Sequence, residues 1–268
     1  MAALPTETRF ICSPAELFTL ATILGGETLI GVPDPFPGWL TEEIEAAVHQ
    51  AYEDLIRRGY LQEQNGALSM DVLVAALVAA VAEPDTVVIL TAHQPPQMPQ
   101  QEAFYWRPPL IVHLHPEESL YTLTALSSSK EILALIREAW GLEAQKPVQA
   151  QGFAVPQEAL DAAREALGQG EQEAIRVLHR SGVEFGHARA FVRTLQTGTR
   201  NGALTALRPL ETTWQVSGIG MLEGENGLWR LRPFQRQNAE WVECTPCSAD
   251  DLIEEMQLFL ERFLPLEG

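Results

Sequence analysis

The sequence predicts an α+β fold: a single domain built of two pseudo-repeats, 8–143 and 152–266, whose strands join in one antiparallel sheet with helices packed at its ends. Three observations carry this. Residues 86–140 run through strand-like Thr86–Ala92, a polar turn, Phe104–His115, Tyr121–Leu126 and a helix ending at Trp140, and residues 202–264 repeat that order. The segments ahead of them also match: Phe10-Ile-Cys-Ser-Pro-Ala-Glu-Leu17 mirrors Phe153-Ala-Val-Pro-Gln-Glu-Ala-Leu160, and Gly25-Gly26-Glu27 mirrors Gly168-Gln-Gly170-Glu171. Finally, Leu55-Ile-Arg-Arg-Gly59 matches Leu178-His-Arg-Ser-Gly182, and tryptophans recur on the corresponding strands.

In chain order, Arg9–Cys12 reads as a short strand. Ser13-Pro14-Ala15-Glu16 is a helix start, with a capping serine, proline in the first turn and glutamate three residues on. Gly25-Gly26 stops that helix, and the proline-rich stretch 31–38 forbids regular structure. Thr41-Glu42-Glu43 opens a second helix, with Ile44, Val48, Ala51 and Leu55 on one face and Gly59 at its end. Asn65-Gly66 marks a tight turn. Ser69–Ala82 is almost wholly apolar, so a buried helix is expected there. Thr86–Ala92 lacks polar alternation and reads as a central strand. A polar, proline-rich connection follows, and then a strand over Phe104–His115 in which Pro108-Pro109 implies an edge or a bulge. Tyr121–Leu126 is a strand, Ser127–Trp140 a helix, and Ala144–Gln151, with Lys146-Pro147, a linker. The second half then repeats the pattern in shortened form.

Composition excludes several classes. Hydrophobic content of 46% and charged content of 20% are ordinary for a globular protein. No apolar run approaches the roughly 20 residues of a membrane span, and the N-terminal residues lack a signal-peptide layout, so cytoplasmic residence is expected. The net charge is −18, and Lys130 and Lys146 are the only lysines. Such a chain repels nucleic acid phosphates and anionic membranes, so neither is expected as a partner.

Catalytic signatures are absent: no nucleophile elbow, zinc-protease helix or phosphate-binding loop occurs, and Gly218-Ile-Gly220 lacks a third glycine. The expectation is a non-enzyme with no cofactor, metal or catalytic residue. Two features keep an alternative open, a divergent metal-binding protein or an enzyme of unknown reaction. His113 and His115 share one strand face but need a third ligand; Glu117 and Glu118 are near, and none is marked elsewhere. Cys244-Thr-Pro-Cys247 has redox-motif spacing without a thioredoxin-like context or a second pair for zinc. A third reading, a regulator containing a winged helix, comes from the helix and turn over Glu42–Leu68. The acids Glu42, Glu43, Glu45, Glu53 and Asp54 on that helix argue against DNA.

Leu55-Ile-Arg-Arg-Gly59-Tyr60-Leu61, Gly66-Ala-Leu68, Leu73-Val-Ala-Ala-Leu77 and Ala82-Glu-Pro84-Asp85, with a strand directly after, resemble the EspG family of type VII (ESX) secretion chaperones. The C-terminal order is similar, with a turn over Gly224–Trp229 and Pro246-Cys-Ser-Ala-Asp-Asp-Leu252 opening the last helix. The resemblance spans about residues 8–266. It implies a pseudo-two-fold fold with a central antiparallel sheet and two flanking helical bundles. It also implies a cytoplasmic chaperone that shields a small helical secreted protein of PE/PPE or WXG100 type, while pairing of two copies stays open. The partner surface expected on this basis comprises loop 93–103 and the strand start after it: His93, Gln94, Pro96, Met98, Phe104, Tyr105 and Trp106. The exposed-looking Trp214, Trp229 and Trp241 are packing residues or partner anchors.

Overall fold

The computed structural model describes residues 9–26, 28–142 and 148–264. Residues 144–147 of the expected linker, Glu27 and both chain ends lie outside that range. The first half runs β1 (Arg9–Cys12), α1 (Pro14–Ile23), α2 (Thr41–Arg57), β2 (Leu61–Gln64), β3 (Ala67–Met70), α3 (Val72–Ala82), β4 (Thr86–His93), β5 (Gln100–Arg107), β6 (Leu110–Glu117), β7 (Leu120–Leu126) and α4 (Ser129–Trp140). The second runs β8 (Phe153–Pro156), α5 (Gln157–Ala166), α6 (Glu171–Arg180), α7 (Phe185–Gln196), β9 (Arg200–Pro209), β10 (Trp214–Gly224), β11 (Gly227–Arg236), β12 (Ala239–Cys247) and α8 (Ala249–Phe263). Apart from the small β2–β3 hairpin, the same element types recur in the same order.

A ten-stranded sheet has the order β1-β7-β6-β5-β4-β9-β10-β11-β12-β8. In each half the strand preceding the first helix closes the outer edge, β1 on β7 and β8 on β12, both antiparallel. By compactness the chain divides differently from the repeats. One unit holds residues 1–89, 101–128 and 208–213; the other holds 90–100, 129–207 and 214–268.

In the first unit, Ser13 and Glu16 form the expected capping box at α1. Leu17, Leu20, Leu55, Leu61, Leu77 and Val78 are fully buried, and Phe10 meets Tyr60 edge to face with centroids 4.9 Å apart. Arg58 is not a free cation for phosphate. It donates to both Glu16 carboxylate oxygens at 2.8 and 3.0 Å and to the Ile11 carbonyl at 2.5 Å. Arg57 pairs with Asp54. The hairpin that suggested a wing is therefore attached to a helix whose terminal arginines are already engaged.

In the second unit, Leu160, Ile175, Leu178, Phe191, Val192 and Trp229 form the core. Trp229 is fully buried and donates its indole N–H to Thr194 at 3.1 Å. Of the two readings open for this tryptophan, packing residue or partner anchor, Trp229 is the packing residue.

Two local readings are corrected. Phe104–His115 is not one strand. Pro108-Pro109 forms the turn of a β5–β6 hairpin that pairs Arg107 with Leu110, because two prolines supply no ladder donor. Asp71, whose carboxylate accepts from the Leu73 and Val74 amides, starts α3 after a short strand, so the helix does not begin at Ser69. Among the described residues no helix is long and apolar enough to cross a membrane.

Candidate functional site

The sequence-predicted surface is divided by burial. Gln94, Pro96 and Met98 lie exposed in the connection 94–99, with Met98 at 83% exposure, and His93 is half-buried beside the Asn201 amide at 3.3 Å. The cavity behind them is only about 30 Å³ and includes Trp140, Arg200 and Met221 in its lining. This loop therefore projects a side chain and does not accept one.

Phe104 and Tyr105 correct the expectation: both are fully buried. Adjacent residues on a strand point to opposite faces, and β5 is covered on both. Phe104 stacks on His113 with centroids 4.8 Å apart, and the Tyr105 hydroxyl donates to the Ile30 carbonyl at 2.5 Å. Trp106 is half-buried. Neither Phe104 nor Tyr105 has surface to offer a partner.

A second apolar surface lies on β10–β12. Val216 is 62% exposed and Trp214 49%. Val216, Pro233, Phe234 and Trp241 line a groove of about 360 Å³ that Thr205 and Gln157 also border. Arg236 lies 4.8 Å over the Trp241 ring. The tryptophans were visible in the sequence. Val216 and Phe234 were not, because single apolar residues among polar ones carry no periodic signal.

Two polar centres stand out on the sheet. On β5 and β6, Glu102, His113 and His115 converge. One Glu102 oxygen is 2.6 Å from His113 Nε2 and the other 3.0 Å from His115 Nδ1. Burial alone would raise the Glu102 pKa. Hydrogen bonds and charge from His113 and His115 outweigh it and hold the carboxyl below its ordinary value. The acid that completes the pair is Glu102. Glu117 pairs with Arg9 at 2.9 Å, and Glu118 takes a left-handed turn conformation.

On β11, β12 and α8, Arg230 is paired with Glu255 and lies 3.4 Å from Glu243. It lines a cleft of about 670 Å³ together with Arg232, Leu258, Phe259 and Arg262. Asp251, Glu254 and Glu255 also line this cleft and offset its three arginines, so it is not a cationic anion trap.

The C-x-x-C pair is inert as placed. Cys244 and Cys247 are buried and free. Burial pushes their pKa up, to about 12 and about 11, whereas a reactive thiol needs a lowered one. Burial also raises Cys12, with Glu16 adding to the effect.

No family model matches the sequence, and no curated protein matches it. The fold itself does match known structures. The chain is similar over 97% of its length to 97% of EspG5, a Mycobacterium tuberculosis type VII secretion system chaperone solved in complex with a PE25–PPE41 dimer, at a TM-score of 0.67 and 16% identity. The chain has the EspG fold. The mixed helix-and-strand architecture with a large antiparallel sheet, expected from the repeated element order and from the family resemblance, is thereby established.

Proposed function

We propose that this chain is a non-enzymatic chaperone or adaptor that binds a helical secreted protein of a type VII-like system, of PE/PPE or WXG100 kind, and keeps its apolar surface covered before export. The observation that carries the reading is the likeness to EspG5, which extends over nearly the whole of both chains and leaves no large insertion to supply a different activity. Two features of this chain support it. Met98 projects from the 94–99 connection, and Trp214, Val216 and Phe234 offer exposed apolar contact beside a groove on β10–β12. Aromatic and methionine side chains of this kind anchor protein partners. The high-pKa, buried thiols and the internally paired Arg230 supply no nucleophile or oxyanion donor. A net charge of −18 leaves nucleic acid and anionic membranes as poor partners, and a cytoplasmic site of action fits a role before export.

Co-expression with small helical secreted-protein pairs from the same genome tests the proposal. The expected result is a complex that survives size-exclusion chromatography and is lost on Val216→Asp combined with Met98→Asp. Failure of every such pair to co-elute, or a complex indifferent to both substitutions together, contradicts the reading or its surface respectively.

A further inference from the structure

The Glu102–His113–His115 cluster has a use that does not depend on client binding. In the β5–β6 hairpin Ala103 faces Leu114 and Phe104 faces His113, which sets Glu102 across from His115 on the same sheet face as both rings. The three potential ligand atoms lie within 4.8 Å of one another. Ligands on a tetrahedral zinc-class ion with bonds of about 2.0–2.1 Å stand about 3.3 Å apart. The cluster is therefore within about 1.5 Å of side-chain adjustment of that arrangement.

We propose that Glu102, His113 and His115 form a binding site for a single divalent transition-metal ion of the zinc class. Two imidazole nitrogens and one carboxylate are the donor set such ions prefer, whereas magnesium and calcium select all-oxygen sites. The ligands are largely pre-positioned. The side chains of Glu102 and His113 are only about a tenth exposed (11% and 10%), and Phe104 stacks nearly parallel to the His113 ring, at 15°. His115 is 39% exposed, so the remaining coordination position opens toward solvent and would be filled by water. In the metal-free cluster, protons link the two imidazoles to the carboxylate. The ion takes the place of those protons: each imidazole binds through the nitrogen that now faces Glu102 and carries its single remaining proton on the other nitrogen, and any surplus proton leaves to solvent. The ion would tie β5 to β6 by bonds independent of the ladder.

The test is titration of the full-length, chelator-treated protein with Zn²⁺ by calorimetry and with Co²⁺ by visible absorption. One saturable ion per chain is expected, with a rise in thermal midpoint on Zn²⁺ addition. Glu102→Gln and His115→Ala are each expected to weaken binding by more than about 100-fold, beyond the 10- to 100-fold typical of outer-shell changes. His49→Ala, at an exposed histidine paired with Glu53, should leave binding unchanged. His115 is partly exposed, so its variant keeps the fold, as circular dichroism will verify, and decides the matter even if Glu102→Gln is unstable. Absence of saturable binding to the wild type, or binding unchanged in His115→Ala, overturns the proposal. Neither result bears on the client, which is assayed separately.

Discussion

The two halves of the chain each place a charged centre against the sheet, with opposite polarity. In the first, one carboxylate, Glu102, is flanked by two imidazoles. In the second, one guanidinium, Arg230, is flanked by two carboxylates. The difference lies in what each centre is able to exchange. Arginine does not lose its proton in a protein, so the Arg230 centre is a fixed staple of β11, β12 and α8. The imidazoles of the Glu102 centre offer nitrogens that a metal ion can engage, so that centre is adjustable. A pseudo-repeated scaffold thus carries one permanent and one responsive polar junction.

The largest effect should come from the fixed centre. Arg230→Ala removes the cation shared by Glu255 and Glu243, leaves Glu255 only Arg232 at 3.6 Å, and opens the cleft. Removing one partner of a fully buried pair costs about 3–5 kcal/mol. Arg230 keeps a fifth of its exposure and Glu243 is nearly half exposed, so a loss of about 2 kcal/mol is expected. Chemical denaturation should show a lower midpoint at unchanged slope. A loss below about 0.5 kcal/mol, the range of ordinary surface substitutions, would remove the distinction drawn between the two centres.

The responsive centre should differ in how its contribution depends on pH. The folded pKa of Glu102 lies below the ordinary 4.5. Its ionised form is therefore favoured by folding, and the stability this brings is present above about 4.5 and is lost as pH falls through the folded value. The thermal midpoints of wild type and Glu102→Gln should differ at pH 7 and converge as pH falls below the folded value. A gap that persists unchanged into acid would show that Glu102 contributes by packing and not by charge.

Smaller effects sharpen the picture. Cys244 and Cys247, with pKa pushed up to about 12 and about 11, should resist alkylation at pH 7.5 under conditions that label the denatured chain fully. Rapid labelling of either would reopen thiol chemistry. Met98→Asp and Val216→Asp change exposed positions and should each shift stability by less than about 0.5 kcal/mol. Measured alone, they test whether these surfaces are free of structural duty.

Local signals fixed much of this fold in advance. The Ser13–Glu16 capping box, the Asn65-Gly66 turn and the apolar α3 ahead of β4 are encoded by residues a few positions apart, and local chemistry suffices to read them. The order of elements in both halves follows from the same kind of signal. The Glu102 centre depends on a register that the sequence concealed. With Pro108-Pro109 read as an edge or a bulge within one strand, Glu102 and His113 stand far apart along a single ribbon. As the turn of a hairpin it folds β5 back on β6, and the same residues become cross-strand neighbours. The burial of Phe104, Tyr105 and Trp229 was concealed for a related reason: whether a strand is covered on one face or two depends on elements distant in sequence.

Client binding is tested most directly by co-expressing this chain with each small helical secreted-protein pair encoded in the same genome and reading the molar mass of the eluted species by light scattering. A discrete complex of one chain with one client pair is predicted, and it should dissociate in the Met98→Asp, Val216→Asp double variant. Elution of the chain alone, or only as a pair of its own copies, alongside every well-expressed candidate would contradict the account.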